Sequence, residues 1–345
     1  MITTSTRSAA LAAALMLLST APTRAADVVP QVRLAYFPNL THAAALVGVA
    51  RNTFKDAVGS QATLDVKTFA AGPVLIEALF AGEVDIGYVG PSPAINGYVK
   101  SKGDALRVIA GASSGGAMFV VRPEANITKP TDLAGKTFAT PQLGGTQDVA
   151  LRYYLQQHGL KPADKGGDVT ILPTQPADIF TLFRQGKIDG AWMAEPWVSR
   201  LLIEGNGKVF IDERDEWPDR KFSTTVVVAR REFLEKHPAL VKALLQAHVD
   251  SVQYIADDPD GAKKIVNAEI ERITSKGLPP AVLDSAFRNT DILTDPLPAT
   301  IQKSADYAFA LGFLGAAKPD LSGLYALQPL QEVLAGPRGK KVAAR

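Results

Sequence analysis

The chain has 345 residues, with 37 Lys and Arg against 35 Asp and Glu, four His and no Cys. The missing cysteine excludes a disulfide framework, a lipid-modified cysteine, a thiolate metal site and a thiol nucleophile. The near balance of charge excludes the concentrated basic face that a nucleic-acid partner demands, and the length suits two α/β lobes better than one core.

At the N-terminus, Arg7, the apolar run Ala9 to Leu18 and the small-residue site Thr23-Arg24-Ala25 form an export signal over residues 1–25, with cleavage after Ala25. The run is shorter than the roughly 20 residues needed to span a bilayer. Cleavage removes Arg7 and Arg24 and no acid, leaving 35 basic and 35 acidic side chains. An exported chain without an anchoring cysteine or span is expected in a periplasm.

Strand and helix signals then alternate. Val32 to Phe37 reads as a strand, Thr41 to Arg51 as a helix, Thr63 to Phe69 as a strand, and Ala71-Gly72-Pro73 opens a helix to about Ala81. Strands follow at Asp85 to Val89, Leu106 to Ala110 and Met118 to Val121, with a helix from Ala94 to Lys100. A second series runs through a short helix at Thr131-Asp132-Leu133, a strand at Thr137 to Thr140, a helix after Gly144-Gly145-Thr146, a strand at Val169 to Leu172, a helix at Ala177 to Gln185 and a strand at Gly190 to Met193. Phe222 to Val228 is β-like, and from Glu232 the pattern is mostly helical. This βαβ rhythm predicts an α/β fold of two Rossmann-like lobes with a discontinuous first lobe. The expected divisions are lobe 1 over 26–118, lobe 2 over 119–223, a helical return to lobe 1 over 224–336 and a basic tail over 337–345. The two-strand hinge is expected near Met118–Val121 and Thr224–Val228.

Two stretches 104 residues apart share one local pattern. Leu79-Phe80, Gly82, Val84-Asp85 and a short strand ending at Gly90-Pro91-Ser92-Pro93 match Leu182-Phe183, Gly186, Ile188-Asp189 and a strand ending at Glu195-Pro196. Each is half of a βαβ unit, and ligands of open α/β sheets bind beyond the carboxyl ends of such strands. The loops there are Asn39-Leu40-Thr41-His42, Ala71-Gly72-Pro73, Gly90-Pro91-Ser92-Pro93 and Gly144-Gly145-Thr146-Gln147. Helix starts carry partial positive charge and unpaired N–H donors, so several converging on one cleft can hold an anion without Lys or Arg. Trp192 and Glu195 suit the organic end of a ligand, although a core position is the default for a side chain as large as Trp192. Asp85 and Asp189 precede their strands and are expected to bind neighbouring turns. No HExxH, GxSxG or P-loop occurs, and the His residues at 42, 158, 237 and 248 are scattered.

At these residues the chain resembles the periplasmic substrate-binding proteins of ABC transporters for nitrate, aliphatic sulfonates and taurine. The resemblance spans about Val32 to Leu334 and rests on Tyr36 to Ala43, Gly82 to Ala94, Asp132-Leu133-Ala134-Gly135-Lys136, Ala139 to Gln147 and Glu195-Pro196-Trp197. It implies a type II periplasmic-binding-protein fold, monomeric capture of a small anion between lobes, delivery to an ABC permease in the inner membrane, and neither cofactor nor metal. Related sulfonate binders imply oxyanion contacts at Asn39, Thr41, His42, Gly72, Ser92, Gly115, Gly145 and Thr146, with Glu195 facing the organic end. Many sulfonate binders carry a Ser-Asn or His-bearing turn where this chain has Gly145-Thr146-Gln147. The leading reading is therefore a receptor for a small organic sulfur oxyanion: an aliphatic sulfonate, a taurine-like molecule or a sulfate ester. Nitrate or bicarbonate remains open, as does a neutral aromatic such as a thiamine-precursor pyrimidine, sandwiched among Tyr36, Phe37, Tyr88 and Trp192. Enzymes on this fold depend on cysteine, which this chain lacks.

Overall fold

The computed structural model describes residues 30–336; the expected export signal and basic tail lie outside the described residues. Eleven described strands form two sheets. Strands β1 (Gln31–Tyr36), β2 (Thr63–Thr68), β3 (Ile86–Val89), β4 (Leu106–Gly115), β10 (Ser223–Arg230) and β11 (Thr290–Ile292) make the first, in the order β11-β4-β10-β3-β1-β2. Strands β5 (Ala117–Val121), β6 (Thr137–Thr140), β7 (Thr170–Pro173), β8 (Gly190–Ala194) and β9 (Lys208–Asp212) make the second, in the order β7-β6-β8-β5-β9. In each sheet a parallel trio (β2-β1-β3 and β7-β6-β8) is extended by antiparallel strands. The central strands are buried on both faces, which is why Val226-Val227-Val228 and Phe119-Val120-Val121 read as unbroken apolar runs.

The 104-residue offset governs backbone pairing as well as sequence. Leu34 pairs with Ile86 as Phe138 pairs with Gly190, and the helix Gly72–Phe80 corresponds end to end with Pro176–Arg184. Asp85 donates its N–H to Arg33 O while its carboxylate accepts from Arg33 N, and Asp189 does the same with Thr137. Each aspartate thus locks its strand to the first strand of its unit. Asp85 also accepts from the Arg230 guanidinium at 2.6 Å, tying in β10.

The chain passes from the first sheet to the second at Gly116 and returns through residues 213–222. Met118 to Val121 and Thr224 to Val228, expected at the crossings, are interior parts of β5 and β10. The shift has a cause: β4 continues past Ala110 because Ala112, Ser113, Ser114 and Gly115, loop-like in composition, are buried and paired with β10 and β11. At Gly116 φ is +68°, and a Cβ there would lie 2.5 Å from Thr290 Oγ1, so the crossing requires glycine. The helix Trp197–Ile203, β9, β11 and the helix Gln328–Ala335 had no clear signal in the sequence.

The helices after β10 complete the first lobe. Pro238–Asp257 buries Leu240, Val241, Leu244, Leu245, Val249 and Val252, an amphipathic stripe, against β1 and its neighbours. Pro298–Ala310 covers the opposite face, packing Ile301, Ala305 and Ala308 with Leu75 and Ile95. No described helix is long and apolar enough to cross a membrane.

Because Asp85 is 1 % exposed and faces Arg33 and Arg230, Asp85→Ala strands buried donors and should cost about 2–4 kcal/mol. Asp189→Ala removes a partner from one backbone N–H and should cost only about 1 kcal/mol. Urea denaturation of the two variants checks this ordering.

Candidate functional site

Beyond the carboxyl ends of the parallel strands the two sheets enclose a small cavity of about 50 Å³. Phe37, Asn39, Thr41 and His42 reach it after β1, Ala70, Ala71 and Gly72 after β2, and Gly90 and Pro93 after β3. From the second sheet come Pro141, Gln142, Gly145, Thr146 and Gln147 after β6, Pro176 after β7, and Met193, Ala194 and Trp197 around the end of β8. Thr224 and Thr225, at the start of β10, close the hinge side. One water needs roughly 10–15 Å³ on such a measure, so the space suits a molecule of a few heavy atoms.

No Lys, Arg, Asp or Glu is among the described residues lining this cavity. Its donors come from elsewhere. Asn39, Ala71, Gly90 and Gly145 stand immediately before helical segments, and at none of them does a side chain cap the first-turn N–H groups. Pro91 and Pro93 lack an N–H, so the Gly90 start offers little beyond Ser92 N, whereas the Gly145 start presents Thr146, Gln147 and Asp148. Thr146 Oγ1 and Gln142 Oε1 are buried with no hydrogen-bond partner among the described residues. Buried polar atoms are rarely left so, and two on one cavity wall point to a polar occupant.

His42 is 2 % exposed and lies 4.4 Å from the Phe37 ring, centroid to centroid. Burial drives its pKa down to about 3, so the imidazole is neutral at ordinary pH. Phe37 N donates to Nδ1 at 3.2 Å, which places the ring proton on Nε2 and makes that nitrogen a donor. The Gly145 turn is held from below: Asp148 accepts from Thr140 Oγ1, Gly144 N and Arg152 Nε, and Arg152 reaches on to Asp164. Burial raises the Asp148 pKa against the pull of those donors.

Of the ten residues singled out from the sequence, Asn39, Thr41, His42, Gly72, Gly145 and Thr146 meet at this cavity. The other four are placed elsewhere. Ser92 faces a second, larger cavity behind Thr146. Gly115 ends β4, where its carbonyl accepts from Thr224 Oγ1 at 2.6 Å. Trp192 packs in the second lobe's core, stacking on Phe119 at 5.3 Å and donating to Glu213 at 2.7 Å, and lines the same second cavity as Ser92. Glu195 is fully buried, accepting from Ser199 N, Ser199 Oγ and Asn289 Nδ2, and burial raises its pKa against those bonds and the charge of Arg214. Its main chain accepts from Leu40 N and donates to Gly116 O, so it ties the second sheet to the first instead of facing a ligand. Trp197, two residues on, lines the cavity in its place. Thr224 and Thr225 carried no sequence signal because the strand pattern hides them. The aromatic sandwich is absent as well: Tyr36 is bonded to Glu269 and Tyr88 to His248, both inside the core, and of the four rings only Phe37 lines the cavity.

Two facing α/β units with a cavity at their strand ends form the type II periplasmic-binding-protein architecture. The fold is that of the alkanesulfonate-binding protein SsuA from Xanthomonas axonopodis pv. citri, solved bound to MOPS (TM-score 0.70, 21 % identity, 83 % of this chain and 94 % of that one). It is also that of the nitrate-binding protein NrtA from Synechocystis PCC 6803 (TM-score 0.70, 14 % identity, 89 % and 88 % covered). The chain belongs to the NMT1-like family, whose profile matches residues 25–270. It is 32 % identical over 289 residues to the taurine-binding periplasmic protein of Escherichia coli K12, covering 81 % of this chain and 86 % of that protein. The family and fold expected from the sequence are both found.

Two predictions follow from the cavity walls. A methyl on Gly90 would run into Thr146 Oγ1 across the cleft, so Gly90→Ala should weaken ligand binding at least about ten-fold, and Thr146→Ser should not restore it, whereas Thr146→Gly should restore part; calorimetry on the three variants checks this. Below pH 6.5 the unfolded chain protonates His42 and His248, whose folded pKa values lie near 3 and 4. Their stabilising contribution is whole above pH 6.5 and falls as pH drops towards those values, by up to about 1.4 kcal/mol per unit each. Unfolding of His42→Asn between pH 7 and 4 should show a shallower acid-side loss than the native chain.

Proposed function

We propose that the chain is a receptor of an ABC importer that captures a small organic sulfur oxyanion between two lobes and delivers it to the permease. The observation that carries this is a charge-free cavity walled by uncapped helix starts, a neutral His42 that donates from Nε2, and the unpartnered buried hydroxyl of Thr146. Backbone N–H groups and helix dipoles suit an anion, and contacts from both lobes favour the closed arrangement. The taurine- and alkanesulfonate-binding relatives support the ligand class, and as binding proteins they support capture over catalysis. The taurine-binding relative is periplasmic, which supports the same location here and, with it, an export signal over residues 1–25. The two expected lobes, with their crossings moved to Gly116 and to the segment before Ser223, would act as a monomer.

The ligand we favour has an uncharged tail. Glu195, the one carboxylate expected near an amine, is committed to Ser199 and Asn289. A taurine ammonium would find no carboxylate in the cavity and only neutral acceptors, Gln142 Oε1 among them, which replace part of its hydration. Calorimetric titration with ethanesulfonate, methyl sulfate, taurine, nitrate and bicarbonate tests this. Ethanesulfonate or methyl sulfate should bind, and taurine should bind at least about ten-fold more weakly. No heat with any sulfur oxyanion would sink the ligand assignment; taurine binding as tightly as ethanesulfonate would sink the uncharged tail.

A further inference from the structure

A second cavity of about 420 Å³ lies on the far side of Thr146, between the helix Thr146–Gln157, the helix Pro298–Ala310 and the return segment 213–222. Its volume falls within the roughly 300–1,000 Å³ of small-molecule pockets. Its chemistry is opposite to that of the first cavity. Tyr154, Trp217 and Tyr307 supply aromatic walls, and Glu213 and Glu216 supply carboxylates. The cavity already holds one cation of the chain itself: Lys303 Nζ lies 4.8 Å from the centroid of the Trp217 ring and 5.6 Å from that of Tyr307. Lys303 is anchored by little else, donating to Glu216 O at 3.1 Å.

We infer that this cavity is a second ligand site, selective for a small organic ammonium, whose cationic head takes the position of the Lys303 ammonium against Trp217 and Tyr307. Ring faces attract cations through their quadrupole, and the attraction strengthens as water is excluded. Glu213 stands behind the rings at 3 % exposure, accepting from Trp192 Nε1; burial lifts its pKa to about 7, so it adds its full negative charge only above neutral pH, and Glu216 is the second carboxylate on the wall. The phenols of Tyr154 and Tyr307 are both pushed up to about 12, first by burial and then by the neighbouring Glu216, with Glu213 and Asp306 adding to the effect at Tyr307. The walls come from both lobes, Tyr154 on one side and Tyr307 on the other, so an occupant favours the closed arrangement just as a ligand of the first cavity does.

The probe is choline, with 3,3-dimethyl-1-butanol as its uncharged isostere, titrated calorimetrically into the mature protein. Saturable choline binding at least ten-fold tighter than the isostere is expected. Lys303→Met, which removes the competing ammonium from a partly exposed position, should tighten choline at least three-fold, and Glu216→Gln should weaken it. The titration is run with no sulfur oxyanion present, so a failure of the sulfonate reading does not touch this test. Equal binding of choline and the isostere, no saturation in either the native or the Lys303→Met protein, or choline binding that ignores Lys303→Met and Glu216→Gln would each overturn the site.

Discussion

At Asn39, Ala71, Gly90 and Gly145 the chain turns from strand into helix without a side chain taking the first N–H groups. A Ser, Thr, Asp or Asn cap at that position is worth about 1 kcal/mol, and Asp212 and Asp258 supply one at helix starts away from the cavity. Three of these four residues are glycine or alanine and cannot cap at all, and Asn39 could but does not. At Asn39 the main chain takes the first donor, Leu40 N donating to Glu195 O, while the other three starts lie on the cavity wall. A cavity lined in this way and free of fixed charge is suited to an anion and to little besides, and the rest of the structure serves to bring the four starts to one point.

That convergence follows from the parallel trios. A parallel strand must be followed by a crossover helix, so β1, β2, β3 and β6 each deliver a helix start to the same edge of their sheet. The aspartates at 85 and 189 fix the register that makes the two edges equivalent, and the crossing at Gly116 turns the two edges to face each other. The cleft between the lobes is thus a consequence of one βαβ unit used twice.

The repeated unit was legible in the sequence because its signals are local: a glycine stop, an aliphatic-aspartate pair and a short apolar run need no tertiary information. The cavity loops were legible for the same reason, since six of the ten chosen residues follow directly from strand-end position. What failed was side-chain direction. Trp192 lies within the right strand and Glu195 just past its end, but alternation along a strand and the start of a helix decide which side chain points into the cleft. Trp192 points into the second lobe's core, Glu195 into the seam between lobes, and Trp197 into the cavity. The crossing strands misled through composition, because Ser113, Ser114 and Gly115 look like a loop and are buried in pairing that only the tertiary structure supplies.

The divergence between the two copies has a physical meaning. After β3 the helix Pro91–Lys100 starts at the cleft with no acceptor of its own; by the 104-residue offset the matching position is Glu195, and the second helix begins at Trp197. There Glu195 Oε2 accepts from Ser199 N at 3.0 Å, within the first turn, and Oε1 accepts from the Ser199 hydroxyl and from Asn289 of the other lobe. A carboxylate of the chain itself therefore fills, in the second copy, the anion position that the first copy leaves open. The same helix-start chemistry that suits a ligand on one side is used on the other to join the lobes near their hinge. Removing that internal anion would free a further helix start and loosen the seam together, so the two effects cannot be separated at Glu195. They can be separated at Asn289, whose amide bonds the carboxylate from the first lobe and touches neither the helix start nor the cavity wall.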